Sequence, residues 1–229
     1  MHAEELKRWR KAERVRLIAA RSALDLATLE KYRHRIDAHL RRSFPGLASA
    51  KLAFCWPIKS EYDARHLVRT LREHGALTAL PVVVAPKQPL VFREWHPGVG
   101  MAVGPLDIPY PVNSREIVPD AVLLPMNGWD AAGYRLGYGG GFFDRTLVNF
   151  QKKPVVIGVA YELARMETIH PQSWDIPVDW VVTERGVYRR DPEGLAFLGV
   201  PPAGEPSALA SPVCYADEIA PGYFGGRKD

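Results

Sequence analysis

The stretch LAFCWPIKSEYDARHLVRTLREHGALTALPVVVA, residues 52–85, decides the fold. It opens on a short apolar run, LAFCWPI (52–58), and closes on a second, ALTALPVVVA (76–85), rich in β-branched residues. Between them YDARHLVRTLREHG (62–75) reads as a helix stopped by Gly75. The order is strand, helix, strand.

Outward from this unit the same texture continues. Further strand candidates are LVFREW (90–95), AVLLPM (121–126), VVIGVAY (155–161) and DWVVTE (179–184), with a helix starting near Phe142. Continuous β-branched runs alternating with helices imply an α/β fold, a largely parallel central sheet covered by helices on both faces. Upstream, Leu6, Trp9, Leu17, Ala20 and Leu24 recur at helical spacing in a charged first helix. Asp25 suits the cap of a second helix, with Leu29, Tyr32, Ile36 and Leu40 inward and an end before Pro45-Gly46. The expected organisation is one domain over 1–198, with basic helices at 1–44, and a tail over 199–229 rich in Pro, Gly and Ala. Tyr215, Tyr223 and Phe224 of that tail are candidates to dock on the body.

Composition narrows the class. At 229 residues with 47% apolar side chains, the chain is long enough for one full core. Cys55 and Cys214 are too few for a disulfide framework and lack metal-ligand spacing. Charges or prolines interrupt every apolar run before membrane-spanning length, and the N-terminus lacks the apolar stretch of a signal peptide, so a cytoplasmic protein is expected. The net charge of +4 is local. Residues 1–42 hold 12 Lys/Arg against 6 Asp/Glu, which is +6, and the remainder is −2. An anionic partner near the N-terminus is implied.

The most distinctive motif is RLGYGGGFFDR, residues 135–145. Gly137, Gly139, Gly140 and Gly141 leave amide N–H groups uncovered ahead of a helix N-terminus, where an anion is held by backbone, and Arg135 adds a charged fork. The loop is not a P-loop, which needs Lys then Ser or Thr where Phe142 and Phe143 stand. Nor is it the dinucleotide fingerprint, whose last glycine is replaced by Phe142. On its own the segment reads equally as a turn, with Asp144 stabilising the first turn of a helix. The seven histidines offer no Ser-His-Asp, His-His or Cys-His arrangement, and His96 and His170 suit loop hydrogen bonds.

The surrounding residues resemble the 5-formyltetrahydrofolate cyclo-ligase (methenyltetrahydrofolate synthetase) family. Arg135, Gly137, Tyr138, Gly139, Gly141, Asp144 and Arg145 match its R-x-G-[YF]-G-x-G-[YF]-[YF]-D-R hallmark, with Phe142 and Phe143 at aromatic places often held by Tyr. The lead-in from Leu123 to Gly133, the IGVAYE strand and HPQSWDIPVDWVVTE extend the likeness, which runs from the first helix to about Arg190.

The resemblance implies an enzyme that uses ATP and Mg²⁺ to convert 5-formyltetrahydrofolate to 5,10-methenyltetrahydrofolate, releasing ADP and phosphate. The formyl oxygen is phosphorylated, the neighbouring folate nitrogen closes the ring, and phosphate leaves, so catalysis rests on positioning and charge neutralisation. By the same resemblance the segment Arg135, Leu136, Gly137, Tyr138, Gly139, Gly140, Gly141, Phe142 and Phe143 wraps the ATP phosphates, with Arg135 and Asp144 the catalytic pair. Arg10 and Arg14, one helical turn apart, also contact ATP. Lys7 with Lys11 offers a rival register. Asp144 and Asp175 are the implied Mg²⁺ carboxylates, against capping by Asp144 and an Asx turn at Asp175. Glu61 is the implied carboxylate for the pterin edge, against a first-turn role in the following helix. The ring of Phe142 is left to pack on folate without a hydroxyl to donate. Trp56, Trp95 and Trp129 offer further ring surface or core. The implied substrate is a reduced folate, polyglutamylated or not. Two other readings stay open: a paralogue with the nucleotide loop but another substrate, and a nucleic-acid module using the basic arm, weakened by the lack of aromatics among its charges.

Overall fold

A computed structural model describes residues 1–200 of the chain. The docking of Tyr215, Tyr223 and Phe224, and Cys214, lie outside the described residues.

Two helices come first, α1 (Ala3–Ser22) and α2 (Leu26–Ser43). Asp25 stands between them, its side chain accepting from the Thr28 amide at 2.6 Å, which satisfies an orphan donor of α2. The chain then enters the strand-helix-strand unit: β1 (Lys51–Phe54), α3 (Arg65–Glu73) and β2 (Leu77–Val82). β3 (Val91–Glu94) turns back antiparallel to β2, and β4 (Met101–Val103) pairs with β5 (Pro109–Pro111) as a separate hairpin. β6 (Ala121–Pro125) follows, then β7 (Gly128–Asp130), β8 (Arg135–Leu136), α4 (Phe142–Asn149), β9 (Val155–Val159), β10 (Arg165–Met166), β11 (Trp180–Val182), β12 (Val187–Asp191) and β13 (Gly194–Gly199).

Eight strands form the main sheet in the order β13-β12-β11-β9-β6-β1-β2-β3. The middle five, β11 to β2, are parallel, and the antiparallel strands sit at the edges. Side chains alternate across it. Leu52, Phe54, Leu123 and Ile157 pack with Ile36 and Leu40 of α2 and Leu67 and Leu71 of α3. Ala53, Val122, Leu124 and Val156 face the other way, towards Leu147 of α4. Both faces are covered, as a period of two buried on both sides requires.

Every expected strand is present but shorter at its ends; LAFCWPI, for example, pairs only to Phe54 before the chain leaves the sheet. The β4–β5 hairpin and the edge strands β12 and β13 were not expected, and two further features differ. β7, β8 and β10 make a small second sheet, its β7–β8 turn held by Asp130, whose Oδ1 accepts the Ala132 and Tyr134 amides at 3.0 Å each. The inward stripe of α1 also differs: Leu6 and Leu17 are buried, Trp9 and Leu24 half-buried, Ala20 exposed, and Arg21 is buried in its stead. Leu17 packs with Leu136 and Ile169, so α1 is docked on the small sheet. No helix among the described residues is long and apolar enough to cross a membrane.

Candidate active site

The connection from β1 runs to β2 on one side, while β6 leads to β9 on the other. The direction of winding therefore reverses between β1 and β6, and side chains just beyond their carboxyl ends border an open crevice. A cavity of about 720 Å³ lies there, with Cys55, Leu124 and Pro125 in its wall. Its size suits a ligand of several rings.

The glycine motif forms much of one side: every residue from Arg135 to Arg145 lines it. Gly139 (φ +94°) and Gly141 (φ +62°) adopt the left-handed region, and Gly141 is the N-cap of α4. A Cβ at Gly139 would lie 3.2 Å from the Arg14 guanidinium, and one at Gly141 would lie 2.9 Å from an Arg145 nitrogen. The carbonyls are turned towards arginines, with Arg14 Nε donating to Gly137 O at 2.6 Å and Arg145 donating to Gly140 O. The amides of residues 139–141 find no acceptor among the described residues. Free amides at a helix N-terminus within reach of guanidinium groups make a cradle for a polyanion. Leu136 differs from its neighbours, since its side chain is core and only its backbone belongs to the loop.

Arg10 and Arg14 both reach the cavity from α1. Arg10 holds Asp175 through two nitrogens (Nη2 to Oδ2 2.6 Å, Nη1 to Oδ1 3.4 Å) and donates to the Ile169 and His170 carbonyls. Lys7 and Lys11, the rival register, do not line the cavity: Lys11 is exposed, and Lys7 pairs with Glu4 in solvent. Arg135 donates to Asp144 Oδ1 at 2.8 Å and to the Ile176 carbonyl, while the Ile176 amide donates to the same Asp144 oxygen at 3.1 Å. Burial lowers the Arg135 pKa, opposed by the neighbouring Asp144 charge; starting so far above neutrality, the guanidinium stays charged. Arg14 is lowered too, by burial and then by the charge of Arg10. The loop is thus held by cations whose own attraction is only partly spent on protein carboxylates.

Asp175 Oδ2 also accepts the Gln172 amide at 2.7 Å, a bond back to the preceding turn; the forward Asx turn the sequence suggested does not form, because the residue two positions on, Pro177, has no N–H. Among the described residues no group of three His, Cys, Asp or Glu could hold a metal ion by itself.

Glu61 stands on the far side of the glycine loop. It leaves β1 through a turn in which Lys59 (φ +49°) and Ser60 (φ +58°) are both left-handed. Its carboxylate takes the Tyr138 hydroxyl at 2.7 Å and the Ile58 amide at 3.1 Å, and lies 3.8 Å from Arg21. Burial raises its pKa, offset in part by Tyr138 and Arg21. Arg21 secures this corner, donating to the Lys59 carbonyl at 2.8 Å and to the Tyr138 oxygen at 3.3 Å. Arg21 was not singled out from sequence. The signal was present: positions 10, 14, 17 and 21 form one stripe of a helix, with Leu17 already recognised as inward.

Phe142 lines the cavity with the Arg145 guanidinium 5.2 Å from its ring centre. Trp56 lines it as well, whereas Trp129 is fully buried core and Trp95 packs on Phe54. The opposite wall is apolar, from Leu80, Leu90, Ile108 and Tyr110. Burial pushes the Cys55 thiol well up, which disfavours the thiolate that a nucleophile needs. His96 bonds the adjacent Pro97 carbonyl, the loop role expected of it, whereas the His170 ring packs edge-on against Trp9 of α1.

The chain is similar in sequence and fold to known proteins. The 5-formyltetrahydrofolate cyclo-ligase family matches residues 6–184. The 5-formyltetrahydrofolate cyclo-ligase of Escherichia coli is 34% identical over 135 residues, 56% of this chain and 74% of that protein. That of Haemophilus influenzae is 26% identical over 177 residues, 73% of this chain and 95% of its own. Among solved structures, the 5,10-methenyltetrahydrofolate synthetase of Aquifex aeolicus superposes with a TM-score of 0.70 at 28% identity, covering 82% of this chain and 97% of that one. A match that takes in α1, the glycine loop and Asp175 alike spans every part of the cavity's charged side. The chain belongs to the 5-formyltetrahydrofolate cyclo-ligase family, the ring-forming ligases of reduced folates.

Proposed function

We infer that the protein converts 5-formyltetrahydrofolate to 5,10-methenyltetrahydrofolate at the expense of ATP. The observation that carries this reading is one cavity holding two unlike recognition elements: a cationic amide cradle at 137–141 and, across Tyr138, the buried carboxylate of Glu61. The cradle suits the phosphates, with Arg10, Arg14 and Arg135 neutralising their charge. Glu61 suits two parallel N–H groups on a pterin edge, since its carboxylate has acceptor sites beyond those used by Tyr138 and the Ile58 amide. The apolar wall suits the remaining rings.

The residues fit a Mg²⁺ ion that arrives with the nucleotide, because such ions are held by one or two carboxylates together with phosphate oxygens. Asp144 is our assignment for that carboxylate. Asp175, the other candidate, gives three acceptor sites to Arg10 and the Gln172 amide and serves better as the anchor of Arg10. Mg²⁺ bound there would neutralise charge on the transferred phosphoryl group. Arg135 keeps Asp144 oriented, and α1 closes the cradle against water.

The basic arm is less available to nucleic acid than its composition suggests, since Arg10, Arg14, Arg21 and Arg33 turn inward to protein acceptors. The test is direct: purified protein with 5-formyltetrahydrofolate and Mg·ATP, followed by methenyl absorbance. ATP-dependent turnover is expected; its absence over a broad pH range overturns the assignment.

A further inference from the structure

Behind Glu61, away from the main cavity, lies a second hollow of about 10 Å³. Arg21, Glu61, Asn127 and Tyr161 border it, with Leu17 and Met126 as apolar packing. Asn127 is 2% exposed, yet neither its Nδ2 nor its Oδ1 has a partner among the described residues. Its backbone is firmly placed, the amide donating to Leu136 O at 2.9 Å and the preceding Met126 amide to Val159 O at 3.1 Å. The side chain is therefore aimed into the hollow by the ends of two β-strands.

A buried amide without partners is costly, and an apolar side chain of similar size would remove the cost. An asparagine here makes sense only if something polar meets it. The hollow admits about one water, and a buried water needs two to four polar neighbours. Asn127 provides a donor and an acceptor. Glu61 has capacity left, because a carboxylate has about four lone-pair sites, and those seen in use go to Tyr138 and Ile58. Arg21 adds a donor.

We propose that the hollow is a built-in site for a single water and that Asn127 is a positioning residue, which through this water holds Glu61 facing the main cavity and keeps its carboxylate hydrated. The water takes the place of solvent that the packing of α1 excludes. The groups facing Glu61 are Arg21 from α1, Lys59 on its own loop, Cys55 beyond β1, Tyr138 from the glycine loop and Tyr161 beyond β9. Cys55 and the two tyrosines stay neutral near pH 7, burial having raised all three. Glu61 therefore responds to its hydration against a fixed positive background. The role in substrate binding rests on the function inferred above; the water itself does not.

A high-resolution crystal structure of the ligand-free protein is expected to show one ordered water within hydrogen-bond distance of the Asn127 amide and Glu61. An empty hollow, or one filled by protein atoms, overturns the proposal. Asn127→Leu, which fills the hollow, is expected to raise the Glu61 titration midpoint by about one pH unit, read by carbon-13 NMR without turnover. In the active enzyme it should raise the KM for the folate about tenfold, leave the KM for ATP unchanged, and move the acid limb of kcat/KM upward. Asn127→Ser, which keeps a polar partner, should restore most of this. An unchanged Glu61 midpoint in Asn127→Leu overturns the positioning role. A shifted midpoint in a protein without cyclo-ligase turnover would overturn the function and leave the water site standing.

Discussion

Arg10 and Asp175 stand 165 positions apart in sequence and meet at 2.6 Å, with side chains only 13% and 11% exposed. The pair ties the first helix to the segment after β10 at the edge of the phosphate cradle. Removing one member of a buried pair leaves the other without compensation, at a cost of about 3 kcal/mol. Arg10→Ala and Asp175→Ala should each lower the urea midpoint and weaken ATP binding. A double-mutant cycle checks the coupling: if the two effects simply add, the contact is not what stabilises the site.

Gly139→Ala tests the cradle. The new Cβ meets both a left-handed backbone (φ +94°) and the Arg14 guanidinium, and the conformational term alone is about 1–2 kcal/mol. The KM for ATP should rise at least about tenfold, with the KM for the folate little changed. Calorimetry with a non-hydrolysable ATP analogue separates this from a loss of chemistry, and unaltered nucleotide affinity would remove the loop from the phosphate site.

Glu61→Gln should separate function from stability. Because burial raises the Glu61 pKa in the folded state, the folded protein binds that proton more tightly than the unfolded chain. The associated stability is complete below the ordinary glutamate range and is lost as pH rises through the folded value. At neutral pH the buried charge is therefore a net penalty, which glutamine lacks while still able to meet Tyr138 and the Ile58 amide. Tm at pH 7–8 should rise relative to the native protein, the difference fading below about pH 4, while folate binding is lost. A Tm difference of the same size at all pH values would contradict the assignment.

Asp144→Asn keeps an oxygen for Arg135 and the Ile176 amide but removes the charge. The fold should survive by circular dichroism, turnover should fall by at least about a hundredfold, and the dependence on free Mg²⁺ should shift to higher concentration. Asp175→Asn should leave that dependence where it is.

The parallel sheet was legible because strands buried on both faces must be apolar throughout, so 52–58, 121–126 and 155–161 announced themselves without context. Their ends were not, since the apolar character of Cys55, Trp56 and Ile58 serves the cavity wall instead of the ladder. The glycine loop was visible as a motif, and its meaning came from the residues around it. Arg21 and Asn127 were hidden for a common reason: a charged or amide side chain looks like surface until a distant segment covers it. For Arg21 that segment is the left-handed turn at Lys59 and Ser60. The β7–β8–β10 sheet escaped because its strands are two or three residues long, too short for any periodicity to register.

The docking of α1 against the small sheet has a consequence for the order of events in biosynthesis. Arg10 and Arg14 leave the ribosome more than a hundred residues before their acceptors at Gly137, Ile169 and Asp175. A nascent chain thus carries these arginines without their acceptors until residue 175 has been made, and the charged side of the cavity forms only then. Capture of an anion by this cradle would then report that translation had passed Asp175.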